Sequence, residues 1–458
     1  MELEKIFHTS LRPHVLMITN HGIHQWKIIP GLPDTGGQNV FVNQFSSALV
    51  DQGFKITIIN RGGFQHPITG ETRTGLIYKN ENQRILFLDD GLASFIRKED
   101  MGERIPKLYQ ALQEHFTTEG LRIDLIISHY WDGAELGALF NSSLPAPVKH
   151  IWIPHSLGAV KKRNVNPSQW VKLRIDERIA NEKKTLLEVD KVTATSAIIS
   201  QSLEQDYGYQ SSPLFLPPSV DSSRYRPHAI EIDHPIWTFL SQQSGISPGE
   251  AQKCQIITEI SRTDTTKRKD ILIKAFARVN KKFPETLLAV TIDQTNGLLA
   301  KELLALIRSL DIEKRVAVLG SVWDELPDIY AVTDIYCTPS VMEGFGMTPQ
   351  EAAATKVPVV SSHLVPFVTE YLLGDEVEEI PYGNRTHSVK VGRGAIVVPA
   401  DDIIGFTHAL EMLLSQEAFR RQMGENAYRM TIPYFTWENM VRVFLEDSDI
   451  CSELKGGI

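Results

Sequence analysis

Short apolar runs alternate along the chain with longer segments whose apolar residues recur at helical spacing. The first part of the sequence contains six runs that predict β-strands: "HVLMITN" (14–20), "FKITIIN" (54–60), "RILFLDD" (84–90), "LIISHY" (125–130), "HIWIPHS" (150–156) and "KVTATS" (191–196). Continuous apolar runs indicate strands that are buried on both faces, which is typical of a parallel sheet covered by helices. Active sites in such sheets form at the carboxyl ends of the strands.

The segments between these strands include amphipathic helical patterns, such as "GQNVFVNQFSSALVDQG" (37–53) and "DERIANEKKTLLEV" (176–189). The alternation stops where the chain becomes polar and rich in Pro and Ser, over about residues 217–252. Such a composition predicts a connection between two domains.

A second alternation follows this connection. Six further runs predict strands: "QIITEIS" (255–261), "LLAVTID" (287–293), "RVAVLGS" (315–321), "DIYCTPS" (334–340), "VPVVSS" (357–362) and "AIVVPA" (395–400). We therefore expect an α/β protein with two doubly wound, Rossmann-like domains, over residues 1–225 and 226–435. The last helical pattern, "TWENMVRVFLEDSD", lies in a C-terminal segment, 436–458, and the sequence leaves open whether this helix returns to the first domain.

Composition narrows the class of protein. A chain of 458 residues suits two domains. The net charge of -9 argues against a general nucleic-acid binder. Three widely spaced cysteines predict neither a disulfide framework nor a zinc site, so we expect a reducing, cytoplasmic location. No apolar run approaches about 20 residues, so we expect no membrane partner.

Two loops carry candidate phosphate-binding groups. "PDTGGQ" (33–38) leads from the first strand into the first helix, where Gly36 and Gly37 let a ligand approach the backbone and the helix N-terminus favours an anion. "ISRTDTTKRKDILIKAF" follows the first strand of the second half and places Arg262 and Lys267 five positions apart, as two cations for a diphosphate. Each loop alone is equally consistent with an ordinary turn or a solvated basic surface.

A third stretch, "EGFGMTPQE" (343–351), places two carboxylates around a glycine turn that opens a helix. Glu351 falls early in that helix, so its carboxylate reaches toward the helix N-terminus, where it could accept the two hydroxyls of a ribose. Glu343 precedes the turn and could face a sugar or a developing positive charge. The N–H groups of residues 346–348 could meet a phosphate. The structural alternative is one exposed acid and one capping acid.

Taken in order, these motifs resemble the retaining glycosyltransferases of family 4. "EGFGMTPQE" is similar to the Glu-x7-Glu motif of that family, and the Arg-x4-Lys and "GGQ" loops occur in matching order. The resemblance is closest to the sucrose-phosphate synthase and mannosylfructose-phosphate synthase group, through "PDTGGQ", "FIRKED", "SHYWDG", "PHSLGAVKKR" and "DERIANE", and it covers about residues 14–440. It implies a GT-B architecture, with two Rossmann-like domains facing a central cleft.

The resemblance also implies roles for individual residues. The catalytic set is His155, Arg262, Lys267 and Glu343. The donor-binding set is Gly36, Gly37, Val322 with its neighbour Trp323, Gly346, Met347, Thr348 and Glu351. The acceptor-binding set, expected to hold a sugar phosphate, is Gln38, Lys98, Tyr130, Ser156, Lys161 and Arg178. The leaving diphosphate would be neutralised by Arg262 and Lys267, so the resemblance implies no essential metal and no cofactor.

The expected function is therefore the transfer of a hexose, with retention, from a nucleotide sugar such as UDP-glucose to a sugar phosphate such as fructose 6-phosphate. GDP-mannose as donor, another family 4 hexosyltransferase and a non-catalytic sugar-nucleotide-binding regulator are the alternatives. Two departures from the family pattern stand out: "SVD" (219–221) replaces a frequent Gly-Val-Asp, and the connection after "VPVVSS" is longer than usual. They leave oligomeric state and acceptor reach open.

Overall fold

A computed structural model of the chain describes residues 2–29, 32–293, 297–320, 322–383 and 387–450. The chain forms two compact units. The N-terminal unit comprises Met1–Pro217 together with Trp437–Ile458, and the C-terminal unit comprises Pro218–Thr436. The first division thus falls at Pro217, whereas the sequence predicts it after residue 225. The final helical segment belongs to the N-terminal unit.

The N-terminal unit contains eight strands and eight helices in its described part. The strands are β1 (His14–Ile18), β2 (Lys55–Arg61), β3 (Gly75–Asn80), β4 (Gln83–Leu88), β5 (Leu125–His129), β6 (Lys149–Ile153), β7 (Lys191–Ala194) and β8 (Leu214–Phe215). The helices are α1 (Glu2–Thr9), α2 (Gly37–Asp51), α3 (Ile105–Glu119), α4 (Tyr130–Ser143), α5 (Gly158–Asn164), α6 (Ile175–Thr185), α7 (Ala197–Tyr207) and α16 (Trp437–Asp447).

The strands of this unit form one sheet in the order β3-β4-β2-β1-β5-β6-β7-β8. All neighbours are parallel except β3 and β4, which pair antiparallel at one edge. Val15 of β1 is opposite Ile56 of β2 on one side and Leu125 of β5 on the other. The strand order therefore reverses between β1 and β5, which is the position where doubly wound sheets bind ligands.

Helix α16 packs in the N-terminal unit through aromatic contacts. The ring of Trp437 lies 5.0 Å from that of Phe41, and Phe444 lies 5.3 Å from Phe45. Trp437 also donates its indole N–H to Gln44 Oε1 at 2.9 Å. These apolar contacts and the indole hydrogen bond stabilise the last helix against α2.

The C-terminal unit repeats the same plan with eight strands and eight helices among its described residues. The strands are β9 (Gln255–Glu259), β10 (Thr286–Thr291), β11 (Val316–Leu319), β12 (Ile335–Thr338), β13 (Val359–Ser362), β14 (Glu378–Tyr382), β15 (His387–Val391) and β16 (Ala395–Val398). The helices are α8 (Pro235–Ser244), α9 (Pro248–Ala251), α10 (Lys269–Lys282), α11 (Gly297–Ser309), α12 (Leu326–Ala331), α13 (Met347–Ala354), α14 (Ile403–Ser415) and α15 (Glu417–Thr431).

The second sheet has the order β11-β10-β9-β12-β13-β16-β15-β14. Ile257 of β9 is opposite Leu288 of β10 and Ile335 of β12, so the order reverses between β9 and β12. The core beneath this sheet is formed by buried aliphatic and aromatic side chains, including Leu272, Phe276 and Phe406. The two doubly wound halves expected from the hydrophobic pattern are confirmed.

All twelve predicted strands are present, but the sheets are not wholly parallel. The long connection after β13 contains a π-helical turn, Val368–Leu372, and the antiparallel strands β14 and β15, which extend the second sheet at its edge. The segment predicted as a connection between domains is also partly helical. Helix α8 within it buries Ile236 and Leu240, so part of that segment is packed structure of the C-terminal unit.

Candidate functional site

The loop that follows β9 holds its cations by local hydrogen bonds. Asp264 caps a short 3-10 turn, Thr265–Lys267, by accepting from the backbone N–H of Thr266 at 2.8 Å. Burial raises the pKa of the Asp264 carboxyl, but its bonds from Thr266 and the nearby charges of Arg262 and Lys267 outweigh burial, and the net shift is downward. The capped turn therefore fixes Lys267 with an ionised carboxylate beside it.

Lys267 and Glu343 form an ion pair at the candidate diphosphate site. Lys267 Nζ lies 2.5 Å from Glu343 Oε1, and both side chains are largely buried, with exposed fractions of 10% and 18%. The backbone N–H of Val341 donates to the carbonyl of Thr266 at 2.8 Å, which ties the two loops together. The structure thus brings together two residues that lie far apart in the sequence.

The run Lys267-Arg268-Lys269 is not an ordinary solvated surface. Lys269 is buried, and its Nζ donates to Glu259 Oε2 at 2.5 Å and to the carbonyl of Ser261 at 3.1 Å. This pair supports the backbone just before Arg262. Arg262 itself is exposed. Of the two predicted diphosphate cations, Lys267 is therefore held by an ion pair, whereas Arg262 is exposed.

Glu351 lies on α13 within a cluster of tyrosines. Tyr330 donates its hydroxyl to Glu351 Oε2 at 3.1 Å. Burial raises the pKa of Glu351 to about 7, although the bond from Tyr330, the charge of Arg224 and the hydroxyl of Tyr225 act in the opposite direction. The carboxyl is thus poised between its neutral and ionised forms near neutral pH.

The N-terminus of α13 is shaped by Gly346. This residue has φ of +118°, and a Cβ atom added to it would lie 2.8 Å from Val365 Cγ1, so only glycine fits. Met347 and Thr348 form the first turn, and Tyr336 donates its hydroxyl to Thr348 Oγ1 at 2.7 Å. The first N–H groups of a helix have no partner within the helix, so the start of α13 is the kind of position where an anion binds.

Three further residues of this site were not found from the sequence. Arg224 lies over the ring of Trp323 at 4.4 Å and donates to its carbonyl, and Tyr225 packs edge-on against Tyr330 at 5.8 Å. Val322 is buried beside Trp323. Arg224 and Tyr225 belong to "SVDSSRYRP", whose polar composition indicates a linker; Tyr330 lies in α12 and gives no signal of its own.

In the N-terminal unit, Gly36, Gly37 and Gln38 begin α2 at the carboxyl end of β1. The side chain of Asn39 accepts from the backbone N–H of Gly36 at 3.0 Å, which caps the turn. Open space lies where a side chain at Gly36 would project, and its backbone is extended. Gln38 donates its side-chain amide to Thr19 Oγ1 at 3.2 Å.

Four of the six predicted acceptor residues, Lys98, Tyr130, Lys161 and Arg178, line one pocket of the N-terminal unit, whereas Gln38 and Ser156 do not form its walls. Its walls are formed by Lys98, Glu99, Tyr130, Trp131, Lys161, Leu173, Arg174, Glu177 and Arg178. The walls of the pocket thus carry four cationic side chains and two carboxylates. The sequence does not predict Arg174, Glu99 or Glu177 as pocket residues. Glu177 lies in a mixed-charge helical pattern, Arg174 lies just before that pattern, and Glu99 is next to the predicted Lys98.

Arg178 is the most constrained of these cations. Its guanidinium donates to the carbonyl of Ser156 at 2.5 Å, to Ser156 Oγ at 3.1 Å and to Glu182 Oε1 at 2.7 Å, and also to the hydroxyl of Tyr130. Glu182 is fully buried and accepts the backbone N–H of Gly158 at 2.9 Å. Four elements of the chain thereby fix Arg178, Tyr130 and Ser156 in one arrangement.

Lys98 and Lys161 are more weakly paired. Lys98 Nζ lies 3.0 Å from Asp34 Oδ1, and Lys161 Nζ lies 3.6 Å from Glu99 Oε1. Burial lowers the pKa of Lys161, and the charges of Arg178 and Lys98 lower it further. Burial also lowers the pKa of Lys98, but the charges of Tyr130, Asp34 and Glu99 outweigh burial, and the net shift is upward. An anion would relieve the repulsion at Lys161, so it is at this side chain that the electrostatics favour a negatively charged ligand.

His155 follows β6 and lies beside a second histidine. Its Nε2 is 2.9 Å from Nδ1 of His129, and its ring stands perpendicular to Phe41 at 4.9 Å. Burial, with a smaller contribution from the charge of His21, lowers the pKa of His155 to about 3. The imidazole is therefore neutral at neutral pH and can act as a hydrogen-bond donor or acceptor.

Among the described residues, no group of three or more His, Cys, Asp or Glu side chains is arranged to hold a metal ion. Within the same residues, no helix is both long and apolar enough to cross a membrane.

Comparison with known proteins places these features in a family. Residues 35–224 match the model of Glycosyltransferase Family 4, and residues 246–430 match that of Glycosyl transferases group 1. The chain is 28% identical over 366 residues to mannosylfructose-phosphate synthase of Agrobacterium fabrum, covering 77% of this chain and 76% of that protein. It is 26% identical over 425 residues to D-inositol 3-phosphate glycosyltransferase of Nocardia farcinica, covering 91% and 85%.

A solved structure shows the same fold. Sucrose-phosphate synthase of Thermosynechococcus elongatus superposes with a TM-score of 0.76 at 21% sequence identity, over 98% of this chain and 100% of that chain. With the two eight-stranded sheets, this likeness confirms the GT-B fold expected from the sequence motifs.

Proposed function

The chain belongs to the group 1 glycosyltransferases of the GT-B type, and from this membership we propose that it transfers a hexose from a nucleotide diphosphate sugar to a phosphorylated sugar. The first choice of substrates is UDP-glucose and fructose 6-phosphate. The C-terminal unit binds the donor, and the N-terminal unit binds the phosphate of the acceptor.

The observation that carries this proposal is the pocket formed by Lys98, Tyr130, Lys161 and Arg178. A phosphate dianion there would receive charge-assisted hydrogen bonds from side chains that already lie side by side. The names of the relatives agree with this chemistry, because mannosylfructose-phosphate, sucrose-phosphate and D-inositol 3-phosphate all contain a phosphorylated sugar or cyclitol.

On the donor side, the proposal assigns one chemical task to each residue of the cluster. Glu351 accepts the ribose hydroxyls, and the base lies beside Val322 and Trp323. Lys267 and Arg262 neutralise the diphosphate together with the N–H groups of the helix that begins at Met347. Glu343 accepts hydroxyls of the sugar, and its ion pair with Lys267 couples sugar binding to phosphate binding. No metal ion or cofactor is assigned to the reaction.

The proposed reaction proceeds with retention of configuration. The bond between the anomeric carbon and the phosphate oxygen breaks, and its electron pair goes to that oxygen. The acceptor hydroxyl forms the new bond on the same face of the sugar, and its proton goes to the leaving phosphate oxygen. No protein nucleophile takes part; neutral His155 contacts the transferred sugar, while Lys267 stabilises the charge that grows on the diphosphate.

One alternative has direct support. The Agrobacterium relative is named for mannosylfructose-phosphate, so GDP-mannose is the second candidate donor. Glu343 can accept hydroxyls of either sugar and does not discriminate between them. A non-catalytic binding protein is a remote alternative, since His155, Arg262, Lys267, Glu343 and Glu351 are all retained.

The test is a matrix of nucleotide sugars against acceptors. UDP-glucose, GDP-mannose and ADP-glucose are each incubated with fructose 6-phosphate, glucose 6-phosphate, inositol 3-phosphate and the same compounds without phosphate, and the released nucleotide is measured. We expect rapid release only with a phosphorylated acceptor, and an α-linked product by NMR. Faster transfer to an unphosphorylated acceptor, or a product of inverted configuration, would contradict the proposal.

A further inference from the structure

His129, which ends β5, makes the single described side-chain hydrogen bond to His155. Its Nδ1 lies 2.9 Å from Nε2 of His155, and the two rings are stacked with centroids 5.2 Å apart. Only one of these two nitrogens can carry the proton of that bond, because both rings are neutral. The pKa of His129 is lowered well below its usual range by burial, and further by the charges of His155, His24 and His21.

The other nitrogen of His129 decides which ring donates. His129 Nε2 is buried and has no hydrogen-bond partner among the described residues. An N–H group buried without an acceptor is rarer in proteins than an acceptor without a donor. The proton of His129 is therefore on Nδ1, and His129 is the donor in the pair.

From this geometry we infer that His129 is a positioning residue, which fixes His155 in the tautomer that carries its proton on Nδ1. Because Nε2 of His155 accepts from His129, the only N–H of the neutral His155 ring is at Nδ1. No hydrogen bond of the described residues involves that nitrogen. The free N–H is then available to donate to an oxygen of the sugar, which is the part of the inference that rests on the proposed function.

The surroundings keep this arrangement rigid. Phe41 packs edge-on against His155 at 4.9 Å and lies 6.1 Å from His129, and Trp437 packs against Phe41 at 5.0 Å. His155 has φ of +55°, a backbone conformation that is uncommon for a residue other than glycine. Such conformations persist where the surrounding structure holds them, and they concentrate at functional sites.

Two variants of His129 separate the hydrogen bond from the packing. His129→Phe keeps an aromatic ring beside Phe41 but removes the donor. His129→Asn loses the ring but places a side-chain N–H near the position of Nδ1. His150→Asn is the control, because it removes another buried imidazole, which bonds Ser128 Oγ at 2.7 Å on the same sheet.

The tautomer is read directly by NMR of the full-length protein with ¹⁵N-labelled histidine, with the His155 signals assigned by their loss in His155→Asn. We expect a protonated Nδ1 and an unprotonated Nε2 at neutral pH, a shift toward protonated Nε2 in His129→Phe, and recovery in His129→Asn. A protonated Nε2 on His155 in the parent protein overturns the inference. This experiment requires no substrate, so it is independent of the proposed function.

Kinetics then test the consequence for catalysis. In His129→Phe we expect kcat to fall by about tenfold to a hundredfold, with the KM for the donor and the unfolding temperature little changed, since a mis-set tautomer costs most in the transition state. His129→Asn should recover most of kcat, and His150→Asn should retain it. A normal kcat in His129→Phe refutes the positioning role. So does an equal loss of kcat in His129→Phe and His129→Asn when His155 keeps the parent tautomer in both variants.

Discussion

In the C-terminal unit, the charged side chain of Lys267 is fixed by a partner on a different loop. Lys267 is paired with Glu343 at 2.5 Å, and the buried ion pair of Lys269 and Glu259 supports the backbone just before Arg262. A cation fixed in this way does not have to be reoriented when charge develops beside it. Its contribution is therefore expected to be largest in the transition state.

Replacement of Lys267 tests this assignment. We expect Lys267→Ala to lower kcat more than it raises the KM for the donor, with a loss of roughly 2–4 kcal/mol in transition-state stabilisation. Lys274→Ala is the matched control, because Lys274 lies on the following helix and pairs with Asp270 at 3.2 Å. Steady-state kinetics with the best donor measure both constants. An unchanged kcat with only a raised KM would show that Lys267 contributes ground-state binding alone.

If Glu351 binds the ribose as proposed, its raised pKa makes ribose recognition dependent on pH. The carboxyl has a pKa of about 7, so it ionises as the pH rises through neutrality. An ionised carboxylate accepts hydrogen bonds from hydroxyls more strongly, so the preference for a ribonucleotide over its 2′-deoxy analogue should grow by about tenfold between about pH 6 and pH 8.

Calorimetric titrations with UDP and 2′-deoxy-UDP measure this preference. Because the phosphates of both ligands titrate alike, the ratio of the two Kd values isolates the ribose. In Glu351→Gln, which cannot ionise, the ratio should be small and independent of pH. A ratio that stays constant with pH in the parent protein would argue against ribose contact by Glu351.

For single residues, the sequence predicts which side chains belong to the candidate site better than it predicts the partners that hold them. Lys98, Tyr130, Lys161 and Arg178 are predicted by resemblance, and the structure places them around one pocket. Their partner Glu182 is missed, because a helix with mixed charges has the composition of a solvated helix, and the pocket residue Arg174 is missed because it lies just before that helix. The role of Lys269 is also missed, since its burial depends on the sheet and not on local composition.

Among the secondary-structure elements, two glycines before helices have different physical roles. Gly346 has a positive φ and no room for a Cβ atom, whereas Gly36 is extended and faces open space. The first is required by the fold of the turn. If the second is required, the reason is the approach of a ligand to the backbone.

Alanine substitutions distinguish the two glycines. Gly346→Ala should destabilise the C-terminal unit by about 2–4 kcal/mol, from backbone strain and the contact with Val365. Gly36→Ala should have the same unfolding temperature as the parent protein but should lose activity. Gly249→Ala, in a short helix with open space around it, is the control for both. The readouts are thermal unfolding and kcat/KM; normal activity in Gly36→Ala would remove the loop before α2 from the site.

The strands that were predicted and those that were missed differ in burial. Every strand buried on both faces is found from its continuous apolar run. Strand β3 alternates exposed and half-buried residues, and β14 reads Glu-Glu-Ile-Pro-Tyr, a poor strand pattern. Proline is tolerated in an edge strand because one side of the strand carries no ladder hydrogen bonds. The pairing of β14 with β15 thus depends on the neighbouring sheet, which a local pattern cannot reveal.

For the whole enzyme, the proposed use of Lys267 and Arg262 in place of a divalent cation has a simple consequence. Activity should survive treatment with EDTA, because the cations that neutralise the diphosphate are covalent parts of the chain. Initial rates before and after chelation, and after addition of magnesium or manganese, measure this. Complete loss in EDTA with recovery on adding either metal would overturn the assignment.

The central claim is that the N-terminal unit recognises a phosphate on the acceptor, and two adjacent lysines allow a direct test. Lys161 lines the pocket, whereas Lys162 pairs with Asp176 at 2.5 Å and lies over Trp170 at 4.6 Å, outside that pocket. The measurement is the acceptor KM of the parent protein, Lys161→Ala and Lys162→Ala, with each sugar tested in its phosphorylated and unphosphorylated form.

We predict that Lys161→Ala weakens use of the phosphorylated acceptor by about 1.5–3 kcal/mol, while slow hydrolysis of the donor and the weak use of the free sugar stay almost unchanged. Lys162→Ala should behave as the parent protein does. Equal losses for phosphorylated and free sugars in Lys161→Ala, or a free sugar that is the better acceptor of the parent protein, would contradict the account.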